Sequence, residues 1–164
     1  MSYRPRAMST LEKRVNKFVK PFGVRRAFAV KECNGDCYYP NVKVISFSIF
    51  DDGSSREFAD AVNRKYGVDI SPFIFVFSLL HEVGHHFTLP QMTAEDWEED
   101  YELRNGLIPI LADEDKSMYC DLKAEDLASR WALNYIETHT QKCWDFQRKC
   151  MAILEHYYKK KGTI

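Results

Sequence analysis

The chain has 164 residues, with 23 Lys and Arg against 24 Asp and Glu, and 45% of it is hydrophobic. That size and composition exclude a wholly disordered chain and fit one folded domain, large enough to need neither disulfides nor a structural metal. A formal net charge of −1 argues against bulk electrostatic attraction to nucleic acid or acidic membranes.

The opening MSYRPRAMST carries arginines without an apolar core, and the longest apolar stretch, Phe73 to Leu80, is interrupted by Ser78 and too short to cross a bilayer. Five irregularly spaced cysteines fit reduced thiols better than a disulfide framework. The expectation is a cytoplasmic protein of one domain over residues 1–164, with about 1–8 and 160–164 flexible.

In chain order, Ser9-Thr10-Leu11-Glu12 has the form of a capping box, and Leu11, Val15, Phe18 and Val19 recur at helical spacing until Pro21, predicting a helix over about 10–20. Val24 to Val30 and Val42 to Phe50 are rich in β-branched and aromatic residues. With the turn signal Asn34-Gly35 between them, they predict paired antiparallel strands. Ser54-Ser55-Arg56-Glu57 repeats the capping-box spacing before a helix over 55–66 ended by Gly67. Ser71 as N-cap and Pro72 at the first helical position then open a helix over Phe73 to Phe87, apolar around nearly its whole circumference. Residues 91–116 are acidic and weakly periodic, predicting an irregular segment that holds at most a short helical turn, with the Leu107 to Leu111 run against the core. Ala124, Leu127, Ala128, Trp131, Ala132 and Tyr135 form one face of a long helix over 117–138, and a last helix spans about 141–159. The expected class is α+β, a small antiparallel sheet packed on a buried central helix and further helices.

That central helix carries His81-Glu82-Val83-Gly84-His85. Residues four apart on a helix project from one face a turn apart, so both histidines can reach one zinc ion. Glu82 then stands beside the metal, placed to take a proton from an attacking water and pass one to a leaving amine. Two histidines and an acid on an apolar helix would be desolvated or line a cleft, either of which is costly without a role. Gly84 in mid-helix marks a close approach by another element, while His86 points elsewhere and reads as a rim residue.

A catalytic zinc needs a third protein ligand. Gln91 stands where a histidine three residues beyond a glycine would complete a longer zinc motif, and Thr88 stands in place of that glycine, so the ligand comes from farther along. Ala124, Ala128 and Ala132 form a row of small residues that permits close helix packing. Glu125 at its edge is the first candidate ligand, Asp121 the second, and Asp126 points about 100° away. The plainer alternative is that Glu125 is one more exposed acid.

The pairing of His81-Glu82-Val83-Gly84-His85 with Glu125, Ala128 and Ala132, and Trp131 at an aromatic position, resembles the ImmA/IrrE-type metallopeptidases, which are compact gluzincins. The resemblance covers about residues 40–140. It implies a minimal zincin-like domain, zinc held by His81, His85 and Glu125, Glu82 as catalytic base, and limited proteolysis of an intracellular protein partner such as a transcriptional repressor. Members are small intracellular or phage-encoded zinc peptidases. Ser129 stands where gluzincins often carry an acid or amide that orients a histidine, which leaves the partner of His81 unassigned. Tyr119, Tyr135, His139 and His156 are candidates for stabilising an oxyanion.

Two rival readings remain: a zinc-holding regulatory module without turnover, and a DNA-associated protein using the basic row Lys13, Lys17 and Lys20. The second lacks the turn or aromatic platform that usually accompanies nucleic-acid binding. Cys33 with Cys37, and Cys143 with Cys150, lack the spacing of a second zinc site. The near-neutral total is a cancellation: residues 1–31 hold nine bases and one acid, and residues 95–126 hold twelve acids and three bases. The acidic stretch falls between the two ligand segments, where it either forms part of the cleft rim and favours basic substrate segments or is a solvated loop.

Overall fold

A computed structural model describes residues 6–30, 36–49, 53–106 and 117–160. Among these, seven α-helices surround a small three-stranded sheet, an α+β arrangement. The elements are α1 (Arg6–Val19), β1 (Arg26–Val30), β2 (Cys37–Tyr39), β3 (Val44–Ser48), α2 (Ser54–Tyr66), α3 (Ile74–Thr88), α4 (Ala94–Gly106), α5 (Ser117–Asp121), α6 (Lys123–Thr138) and α7 (Thr140–Lys160). No helix among the described residues is long and apolar enough to cross a membrane.

The sheet is mixed, which corrects the antiparallel expectation. Its order is β1-β3-β2, with β1 parallel to β3 (Arg26 opposite Val44) and β2 antiparallel to it (Tyr38 opposite Ile45). β1 does lie beside β3, but in the parallel sense, and the antiparallel neighbour of β3 is the short β2 on its other side. Alternation along Val24 to Val30 and Val42 to Phe50 reports which faces are buried, but it is blind to strand direction. Asn34-Gly35 lies outside the described residues.

The first helix starts earlier than its capping box suggests, so Ser9 sits inside it, and Glu12 has another use. Ala29 N–H donates to Glu12 Oε1 at 2.7 Å, Ala27 N–H donates to Asn16 Oδ1 at 2.8 Å, and Asn16 Nδ2 donates to the Ala27 carbonyl at 2.7 Å. Two side chains of α1 thereby satisfy the open edge of β1, a surface that would otherwise invite pairing with another chain. Below them Leu11, Val15 and Val19 are buried against the sheet, and Phe18 stacks on Phe146 of α7 with ring centroids 4.0 Å apart.

The serine caps predicted for α2 and α3 are also replaced. Helix α2 has Gly53 at its N-cap with φ of 92°, a left-handed conformation that favours glycine. The chain over Ser71–Phe73 forms a 3₁₀ turn before α3, and the unsatisfied Val76 N–H of α3 donates to the buried Gln147 Oε1 of α7 at 2.8 Å.

Residues 94–106 form a helix of 13 residues, where the sequence predicts an irregular segment with at most a short helical turn; residues 107–116, with the Leu107 to Leu111 run, lie outside the described residues. The helix lacks an apolar period because its polar side faces inward. Asp100 is 4% exposed, whereas Trp97 and Tyr101 are 47% and 68% exposed. Asp100 Oδ2 accepts the Ala124 N–H at 2.9 Å and Oδ1 accepts from Arg104 Nε at 2.6 Å. A buried carboxylate from α4 thus caps the N-terminus of α6, where backbone N–H groups and the helix dipole favour negative charge.

That cap coincides with a further correction. The predicted helix over 117–138 is interrupted at Leu122, which is fully buried with an extended ψ of 134°. The break turns α5 away from the axis of α6 and decides which acids reach the site.

Candidate metal centre

The site lies where α3 crosses α6. Val76, Phe77, Leu79, Leu80 and Val83 bury α3 in the core, and His81, Glu82 and His85 are carried inside with them at 3%, 8% and 9% exposure. A Cβ added to Gly84 would stand 2.5 Å from the Ala128 carbonyl oxygen and 2.9 Å from its Cα. The two backbones are therefore in contact, with Ala124, Ala128 and Ala132 lining the α6 side. The mid-helix glycine and the alanine row are two halves of one close approach.

This contact delivers Glu125. Its Oε2 lies 2.7 Å from His81 Nε2 and 3.3 Å from His85 Nε2, and one possible donor atom from each of the three residues falls within a 4.8 Å cluster. Asp121, on the far side of the Leu122 break, pairs instead with Lys65 at 3.0 Å and is 62% exposed. Asp126 bonds Tyr66, Arg130 and Lys65, tying α6 to α2. Of the three acids considered, only Glu125 joins the histidines.

Ser129, one turn beyond Glu125, faces the other side of the same imidazole: its Oγ lies 3.1 Å from His81 Nδ1 and it is 1% exposed. This supplies the partner that the sequence left unassigned. When Nδ1–H donates to Ser129, the Nε2 lone pair is free to meet a cation. Burial lowers the His81 pKa, with the neighbouring Glu125 opposing, and so favours the neutral ring. Burial alone would raise the Glu125 pKa, but hydrogen bonds from His81 and His85 outweigh it and hold the carboxyl well below the usual range. Two imidazoles and an ionised carboxylate form a donor set suited to a divalent transition metal such as zinc. His85 Nδ1 is buried with no hydrogen-bond partner among the described residues.

Glu82 is not drawn into that cluster. Burial raises its pKa well above the ordinary carboxylate value, the charges of Asp36 and Glu125 add to the rise, and a hydrogen bond from the Tyr38 backbone N–H opposes it. Asp36, the residue before β2, accepts the Ser48 N–H at 2.9 Å, and burial lifts its own pKa to about 6. The sequence held no signal for Asp36, because its nearness to Glu82 arises from the long-range packing of β2 on α3.

Of the four oxyanion candidates, only Tyr119 is brought to the site. Burial, then the charges of Glu125 and Glu82, raise its pKa, and its hydroxyl is hydrogen-bonded to Glu125. Tyr135 and His139 instead continue a stack that begins with Phe87 and Trp131, with centroid spacings of 5.0, 5.6 and 4.2 Å. His156 is exposed on α7. Cys143 and Cys150 are buried free thiols; Lys13 and Lys17 are exposed on α1, and Lys20 is exposed in the 3₁₀ turn that follows it.

Comparison with protein-family models, curated proteins and solved structures finds no match for this chain.

Proposed function

We propose that the chain is a zinc-dependent endopeptidase that performs limited proteolysis of a protein partner, with His81, His85 and Glu125 as ligands and Glu82 as catalytic base. The observation that carries this reading is the coexistence of two kinds of buried carboxylate at one place: Glu125, drawn to both histidines, and Glu82, held beside them with its charge destabilised. The resemblance of the two motifs to ImmA/IrrE-type metallopeptidases points the same way, and it suggests a regulator or repressor as the partner.

A zinc ion held by these three residues would act as a Lewis acid toward a peptide carbonyl and lower the pKa of water at the site. The chain's own contribution is proton handling. A carboxylate whose charged form is disfavoured by burial is a stronger base than one in water, so Glu82 is suited to accept a proton and return it to a departing amine. The Tyr38 N–H steadies its charged form between those events. Tyr119, kept protonated, is suited to donate a hydrogen bond to charge developing on the carbonyl oxygen.

The test is Glu82→Gln, assayed for peptide-bond hydrolysis by mass spectrometry of candidate partners, with zinc content measured in parallel. The expected protein is folded and zinc-loaded but inactive. Undiminished hydrolysis would refute the assignment, and partner binding or regulation that survives without hydrolysis would favour a metal-holding module.

A further inference from the structure

Glu125 is the third residue of α6, just past the break at Leu122 that separates this helix from α5. So close to a helix start, the direction of its side chain depends on what fixes the first turn. A break of this kind leaves carbonyls without intrahelical partners on one side and N–H groups without them on the other. Leu122 stands at the N-cap and has no side-chain oxygen to offer.

Two charged side chains from other helices take up those groups. On the α6 side, Asp100 Oδ2 of α4 accepts the Ala124 N–H at 2.9 Å, the bond that an N-cap side chain ordinarily makes. Asp100 is buried and is itself held by Arg104 Nε at 2.6 Å. On the α5 side, Lys65 Nζ of α2 donates to the Cys120 carbonyl at 2.7 Å. The same ammonium pairs with Asp121 at 3.0 Å and with Asp126 at 3.2 Å, so it grips both helices at the break.

The break matters because a continuous helix would set Asp121 one turn before Glu125 on the same side. With the break in place, Asp121 lies out at Lys65, and Glu125 Oε2 reaches His81 Nε2 at 2.7 Å and His85 Nε2 at 3.3 Å.

We propose that Asp100 and Lys65 are positioning residues for Glu125: they hold the α5–α6 break from opposite sides and so present one carboxylate, rather than two, to His81 and His85. This rests on the reading of His81, His85 and Glu125 as metal ligands and goes beyond it, because it makes metal affinity depend on two charged residues outside the ligand set. Lys65 keeps its bonds to Cys120 and Asp126 when Asp121 is removed, so the break does not depend on Asp121.

The test uses Asp100→Ala, Asp100→Asn and Lys65→Met in the full chain, each alone and combined with Glu125→Ala. Zinc affinity is read by competition with a chromophoric chelator, the His81 ring nitrogens of the zinc-free protein by NMR, and retention of the fold by urea unfolding. Methionine keeps the apolar stem of Lys65 and removes its donors. The expected result is a loss of zinc affinity of roughly tenfold in Asp100→Ala and Lys65→Met, the low end of what residues supporting a metal ligand carry. Asp100→Asn should stay close to wild type, because its amide oxygen can still accept from Ala124 while Arg104, 44% exposed, turns to water. In the Glu125→Ala background the weak affinity of the two histidines should be the same with or without these substitutions, whereas a general loosening of the fold would persist there. In the zinc-free protein the His81 ring signals should move toward those of Glu125→Ala. Should Asp100→Ala fail to fold, Lys65→Met carries the same comparison. Unchanged zinc affinity in the folded single variants would overturn the proposal, as would an equal loss in the Glu125→Ala background. Wild-type protein that binds no zinc, but whose His81 signals move as expected in the variants, would support the positioning and refute the metal centre instead.

Discussion

His81 and Ser129 meet across the α3–α6 contact with Nδ1 and Oγ 3.1 Å apart, while the other nitrogen of the same ring faces Glu125. A metal-binding imidazole gains basicity and a fixed tautomer from such a partner. With a metal ion on Nε2 the ring hydrogen sits on Nδ1, so Ser129→Ala would leave that buried Nδ1–H unpaired, and zinc affinity should fall by about 10- to 100-fold with little change in fold. A competition titration measures this directly. Affinity equal to wild type would show that Ser129 does not orient the ring.

Gly84→Ala should be harmful despite its better helix propensity. Alanine favours a helix interior by about 1 kcal/mol over glycine. The added Cβ, however, would stand 2.5 Å from the Ala128 carbonyl oxygen, forcing α3 and α6 apart. Overpacking of this kind costs about 1–3 kcal/mol, and the separation should also pull Glu125 from the histidines. Urea unfolding and zinc titration should both register the loss. Ala128→Gly should not rescue it, since the atoms in the way are backbone. A Gly84→Ala protein as stable and as tightly zinc-binding as wild type would contradict the packing described.

Much of the site was legible because it rests on helical period and residue size. The spacing of His81 and His85, the glycine between them and the alanine row around Glu125 each follow from local geometry. Asp121 misled because a continuous helix was assumed. Leu122 looks like one more apolar residue in the pattern, and the cap that interrupts the helix comes from Asp100, 24 residues away. Helix α4 escaped notice for a related reason: with Asp100 inside and Tyr101 outside, no hydrophobic period exists to be read. Strand order and the approach of Asp36 to Glu82 depend on pairings between distant segments, which alternation within a strand cannot specify.

The edge of β1 gives a prediction independent of the site. Asn16 makes two hydrogen bonds to the Ala27 backbone, at 2.7 and 2.8 Å. Asn16→Ala should destabilise the fold by about 1–3 kcal/mol and uncover part of an edge strand. Denaturant unfolding reads the first effect, and concentration-dependent light scattering reads the second. A variant with wild-type stability and no added association would show that the edge needs no cover.

Asp36 predicts a pH dependence. Its pKa is lifted from 3.8 to about 6 in the fold by burial, so the folded state prefers the neutral acid. The stabilisation from this proton is complete below the unfolded pKa and is lost as pH rises through about 6. Asp36→Asn can still accept from Ser48 and never becomes charged. It should therefore be more stable than its parent at pH 7.5 by up to about 3 kcal/mol, and nearly equal to it at pH 4. That figure is an upper bound, because Asp36 keeps partial contact with solvent. Unfolding at both pH values, in a Glu82→Gln background to remove the coupled carboxyl, gives the comparison. A stability difference independent of pH would contradict the assignment.

The central claim is that Glu125, and neither Asp121 nor any other acid, completes a metal centre with His81 and His85. Zinc content of the purified wild-type, Glu125→Ala and Asp121→Ala proteins tests it most directly. The expected result is one zinc per chain in wild type and in Asp121→Ala, whose carboxylate serves only an exposed pairing with Lys65, and none retained by a folded Glu125→Ala protein. Full zinc content in Glu125→Ala, or its loss from Asp121→Ala, would contradict the account.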